Sequence, residues 1–101
     1  MEDIKIVEIF KKLVSLVYPE AEVYFYGSRV SKTHRDDSDY DVLVILKEVN
    51  PPVRDRVYDI AWEVGFEHDA FISPVLTEKR AFANLSASPF FNNVKQYGVV
   101  V

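Results

Sequence analysis

The stretch YGSRVSKTHRDDSDYDVLVIL, Tyr26 to Leu46, decides how this chain is read. It closes in an apolar run, Val42 to Leu46, with the length and composition of a sheet-core strand, yet Asp39 and Asp41 stand at its entry. Residues two apart on a strand point the same way, so both aspartates share a face with Leu43 and Ile45, with Cα atoms about 6.6 to 6.8 Å apart. Two like charges about 5 Å apart repel by roughly 3 kcal/mol at an effective dielectric of about 20. Something positive is expected between them.

A divalent cation is the economical answer. Hard oxygen ligands at this spacing suit Mg²⁺, which keeps several waters and binds through one or two carboxylates plus substrate phosphates. Phosphates are also what the preceding residues would recognise. Gly27 allows a tight turn after a strand, Ser28 offers a hydroxyl and an amide, and a short helix after them would present free N–H groups to an anion. The loop adds Arg29, Lys32 and Arg35 as candidate phosphate partners, whereas His34 reads as a surface residue.

Working outward, Ile6, Ile9, Phe10, Leu13, Val14 and Val17 carry the spacing of an amphipathic helix over Asp3–Val17, with Asp3 as N-cap and Pro19 as the stop. Glu22–Tyr26 reads as a strand running into Gly27, and Tyr40–Leu46 as a central strand. Asn50 followed by Pro51 and Pro52 opens a second long helix that Gly65 is expected to end. Asp69–Val75 reads as a third strand, which Pro74 pushes toward an edge. Thr77 to Ala83 suggests a helical turn, and Ser88 with Pro89 opens a last helix running to Tyr97 before Gly98. Trp62 is expected to pack within the second long helix, while Phe90, Phe91 and Tyr97 suit either a core or a partner surface. The pattern predicts a small α/β (α+β) domain with a mixed sheet of three or four strands flanked by helices.

Composition bounds the rest. With 101 residues the chain has room for one domain, 1–101, with a radius of gyration of about 13 Å. A hydrophobic share of 49% beside 28% charged residues suits a folded chain, and no apolar run is long enough to span a bilayer. A net charge of −4 argues against a broad nucleic-acid-binding face. The absence of cysteine and of a signal-peptide pattern at the N-terminus points to a cytoplasmic setting.

Gly27-Ser28 at the end of one strand and Ser38-Asp39-Tyr40-Asp41 opening the next resemble the nucleotidyltransferase superfamily related to DNA polymerase β, and within it the minimal nucleotidyltransferases of prokaryotes. The resemblance implies that Asp39 and Asp41 ligate the metal ions, two Mg²⁺, that bind ATP, and that Gly27 and Ser28 hold its β- and γ-phosphates, with Arg29 and Ser38 beside them. It also implies a third carboxylate, best matched by Asp69 with Glu67 as the alternative, that activates the attacking hydroxyl. Lys32 stands where relatives often carry a second loop glycine.

Minimal members of the family lack a domain of their own for the acceptor. They are commonly paired with a HEPN-domain toxin, and act as its antitoxin by transferring AMP from ATP to a tyrosine of that partner. The resemblance implies the same here, with release of pyrophosphate. Two other readings stay open: a module that keeps the fold and neutralises its partner by binding alone, and transfer to a small molecule across a dimer.

Overall fold

The computed structural model describes residues 2–31, 38–84 and 88–101. Helix α1 (Asp3–Val17) leads into β1 (Glu22–Tyr26), a single turn α2 (Ser28–Ser31), β2 (Tyr40–Leu46) and helix α3 (Pro51–His68). Then come β3 (Ile72–Glu78), α4 (Lys79–Ala83), α5 (Pro89–Tyr97) and the short β4 (Val99–Val100). The mixed sheet has the order β3-β2-β1-β4. β1 runs antiparallel to β2 and to β4, and β2 runs parallel to β3 through the α3 crossover, as a parallel pair requires.

Period-two alternation divides the sheet between two cores. Tyr40, Val42, Val44 and Leu46 turn to one face, where Ile6, Val7, Phe10 and Val14 of α1 and Val57, Ile60, Ala61 and Val64 of α3 cover them. Leu43 and Ile45 turn to the other face and pack with Phe82 of α4 and Val94 of α5. Phe10 is fully buried, and emptying such a site by truncation to Ala costs about 3–5 kcal/mol.

Most element bounds fall where the sequence places them, and the N-caps of α3 and α5 are as expected. The Asn50 side chain accepts from the Val53 N–H, and the Ser88 hydroxyl accepts from the Phe91 N–H. Asp3 differs: it is the first helical residue, Glu2 takes the N-cap position, and the Asp3 carboxylate is engaged elsewhere.

The largest correction concerns residues 65–71. Helix α3 does not stop at Gly65 but continues to His68, and β3 begins at Ile72 rather than Asp69. Gly65 serves close approach instead of termination: a Cβ there would lie 2.5 Å from the Ala70 carbonyl oxygen, so only glycine lets the returning chain pack this tightly. The left-handed C-cap falls to Asp69, at φ 52°, a conformation that aspartate tolerates better than most residues.

Pro74 behaves as anticipated. The Tyr40 N–H donates to the Phe71 carbonyl at 2.8 Å, so the odd-numbered residues of β3 turn their backbone groups to β2. Pro74 therefore falls in the outward set of an edge strand, where no ladder donor is missed.

Candidate functional site

The register brings the C-terminal end of β1 and the N-terminal ends of β2 and β3 to one end of the sheet. There Asp41 lies between Tyr26 of β1 and Ser73 of β3. Gly27 follows at φ 89°, and a Cβ on it would lie 2.5 Å from Asp41 Oδ2. The glycine is thus required twice, for its backbone conformation and for the space that the Asp41 carboxylate occupies. Its carbonyl accepts from the Val30 and Ser31 N–H groups and closes the α2 turn.

Asp41 shares the sheet face of Leu43 and Ile45, as expected. Partial burial raises its carboxyl above the usual carboxylate range, and the charge of Asp39 raises it further. Asp39 is exposed immediately before β2. Tyr26, also partly desolvated and beside Asp41, has its phenol pushed up to about 12. Two carboxylates that repel each other, one of them backed by a glycine, form a donor set suited to a hard divalent cation that retains water or phosphate oxygens as further ligands.

Asp69 is not gathered with them. It sits exposed at the C-cap of α3, and no group of three acidic or histidine side chains placed for a metal occurs among the described residues. The β3 residue in register with Asp41 is Ser73. Glu67 is exposed two residues before Asp69 on α3. The expected three-carboxylate centre is therefore not assembled among the described residues, because α3 runs one turn longer and holds Asp69 off the strand.

Arg29 is corrected as well. It is not an exposed phosphate partner but one of the most buried charged residues, 9% accessible. Nη1 donates to both carboxylate oxygens of Asp3 at 3.2 Å, and Nε donates to the Ser38 carbonyl at 2.9 Å. The guanidinium lies over the Tyr40 ring at 4.0 Å, and the Tyr40 hydroxyl donates to Asp3 at 3.1 Å. This cluster pins the residue immediately before Asp39 to the first turn of α1. Sequence reasoning missed it, and the available signal was slight: an acid at a helix start and an arginine just after a strand-terminal Gly-Ser.

Ser28 opens α2 half-buried, with its carbonyl accepting from the Ser31 hydroxyl at 3.1 Å. Lys32, His34 and Arg35 lie outside the described residues. A groove of about 740 Å³ opens at the same end of the sheet, between α3 and the start of β3. Ser38, Ser73 and Asp69 lie on its lining, with Trp62 and Phe66 as one wall. Trp62, expected to pack, is 67% exposed.

Known proteins are similar to this chain in sequence and in fold. Residues 4–81 match the family model described as "Nucleotidyltransferase domain". A Methanocaldococcus jannaschii protein that carries the name "Putative protein adenylyltransferase" is 30% identical over 105 aligned positions, covering all of both chains. Two solved structures share the fold at a TM-score of 0.60, each covering 99% of this chain and 72% of the other. One is a mutant of the MntA–HpeT toxin–antitoxin, 18% identical, and the other a toxin–antitoxin with AMP-PNP, 20% identical. With a family match across most of its length and Gly27, Asp39 and Asp41 converging at one sheet end, this chain belongs to the nucleotidyltransferase domain family and is a nucleotidyltransferase.

Proposed function

We propose that the chain is the antitoxin of a toxin–antitoxin pair, transferring AMP from ATP to a tyrosine hydroxyl of a HEPN-domain toxin in the presence of Mg²⁺. The observation that carries the reading is the Asp39–Asp41 pair at the end of a strand-terminal Gly-Ser, with no basic side chain paired to either among the described residues. The name of the full-length relative supports transfer to protein, and those of the structural neighbours support a toxin as partner.

In this reading Asp39 and Asp41 hold the cation, and Gly27 and Ser28 hold the β- and γ-phosphates. Bound Mg²⁺ supplies charge neutralisation along the triphosphate and at the α-phosphoryl group. The acceptor oxygen forms a bond to the α-phosphorus while the bond to the bridging oxygen of the β-phosphate breaks, and pyrophosphate leaves with that electron pair. In this reading the hydroxyl proton passes to Asp69, which stands outside the pair on the lining of the groove between α3 and the start of β3. Arg29 acts through Asp3 and Ser38, fixing the approach to Asp39 rather than touching nucleotide.

A second reading is favoured by Ser73, which stands in register with Asp41 where a third carboxylate would complete the charge. There the fold would neutralise its partner by contact, with little turnover. Incubation with ATP, Mg²⁺ and the co-purified partner separates the two. A mass gain of one AMP on a partner tyrosine is the expected result, and partner retention without modification would establish the binding module.

A further inference from the structure

Helix α3 turns two parallel ridges away from the core. Tyr58, Trp62 and Phe66 recur every fourth residue, and beside them run Asp55, Asp59, Glu63 and Glu67 at the same interval, all exposed. Trp62 and Phe66 stack on each other at 5.2 Å between centroids, with Phe66 74% exposed. Asp55 pairs with Arg54, but Asp59, Glu63 and Glu67 have no ion-pair partner among the described residues. Like charges four apart on a helix repel, and neighbouring large aromatics left in water are an uncompensated apolar surface. A basic, amphipathic surface would relieve both.

The aromatic ridge is one wall of the groove that reaches Ser38 and Ser73, the neighbours of Asp39 and Asp41. In-line displacement places the attacking oxygen opposite the leaving pyrophosphate. With Gly27 and Ser28 on the β1 side of Asp41, an acceptor in line with the leaving group approaches from the β3 side of this sheet end, and the groove opens on that side, on the face that α3 covers. Pro74 on the outer edge of β3 denies a ladder donor to an added strand, so the visitor suits a helix seated on i, i+4 anchors. Two copies packed α3 to α3 would bring acidic ridges together on chains that each carry −4.

We infer that this face of α3 receives the acceptor-bearing segment of the partner protein, a basic amphipathic helix. Its apolar and aromatic side chains seat on Trp62 and Phe66 while its Lys or Arg side chains meet Asp59 and Glu63. The inference rests on the proposed transfer to protein for its functional meaning, but the docking itself can be tested without it.

Trp62 is the one tryptophan of the chain, so its emission reports occupancy of the face directly. The probes are two synthetic amphipathic helices with the same tyrosine-containing apolar face, one flanked by arginine and the other by glutamate. The arginine peptide is expected to blue-shift Trp62 emission, with an affinity that falls as salt rises and drops about tenfold or more in Phe66→Ala and in Asp59→Lys/Glu63→Lys. ATP affinity should be unchanged in those variants, and label transfer to the peptide should show a raised KM. Equal binding of both peptides, or binding indifferent to the variants, would overturn the docking surface even if transfer proceeds. Absence of transfer with intact, salt-sensitive peptide binding would sink the proposed activity and leave the docking surface standing. A Trp62 shift that follows protein concentration alone, with mass doubling, would assign the face to self-association and overturn the inference.

Discussion

Two charged clusters flank the entry to β2, and they are built in opposite ways. On the α1 side, Arg29 is enclosed by Asp3, the Ser38 carbonyl and the Tyr40 ring, so its charge is satisfied within the chain. On the α5 side, Asp39 and Asp41 repel each other, and no described basic group is paired with either. The motif thus sorts its charges: the cation is enclosed by its own chain, while the two anions meet no basic partner among the described residues. On the proposed reading, the buried, paired arginine holds the site and the acidic pair acts.

The sharpest way to break this comparison is to remove the acidic pair. Asp39→Asn/Asp41→Asn should lower transfer by about three orders of magnitude or more while the fold persists and metal-free stability rises, because a repulsion is relieved. A loss of metal-free stability in denaturant unfolding would make the carboxylates structural and erase the contrast between the clusters.

Removing the cation should do the reverse. Arg29→Met removes the cation from Asp3 and a donor from the Ser38 carbonyl, and should cost about 2–4 kcal/mol of stability, toward the low end because Asp3 keeps the Tyr40 hydroxyl and some access to water. Adding Asp3→Asn should cost less than the sum of the two single changes. Urea unfolding measures both effects. A stable Arg29→Met protein with weakened ATP binding would return Arg29 to the phosphate site.

Gly27→Ala joins the two regions, since the new methyl group would meet the Asp41 carboxylate and force an unfavourable positive φ. A loss of about 1–3 kcal/mol is expected, with transfer falling further than stability alone explains. Calorimetry and a transfer assay on the same sample would check this.

The smallest effect is on pH. The Asp41 carboxyl is raised in the folded chain, so the folded state holds its proton to higher pH than the unfolded state does. Metal-free stability should therefore fall as pH rises just above the ordinary carboxylate value, and Asp41→Asn should flatten that slope. Tyr26, pushed up to about 12, should similarly remove stability as pH rises from about 10 to about 12.

Much of this was legible in the sequence because the decisive signals are local. Three-and-four apolar spacing located the helices, β-forming and apolar runs located the strands, side-chain oxygens at Asn50 and Ser88 marked two helix starts, and strand parity put Asp41 on the face of Leu43 and Ile45. What failed depended on long-range contact. Gly65 looked like a helix end because its true constraint, the Ala70 carbonyl, only appears when the chain folds back. That error moved the start of β3 by three residues and placed Asp69 on a strand that it does not join. Arg29 looked like a phosphate partner because its own partner Asp3 lies far away in sequence, at the start of α1. Trp62 looked like packing because its neighbours on the helix are apolar, yet its own position faces outward beside Phe66.

The most direct test of the central claim is transfer of label from ATP carrying a labelled α-phosphate, with Mg²⁺, into proteins of a native-host lysate, run beside Asp39→Asn/Asp41→Asn. The account predicts a labelled protein band with the intact chain and none with the variant. Equal labelling by both proteins would contradict it, because the acidic pair would then have no part in the chemistry.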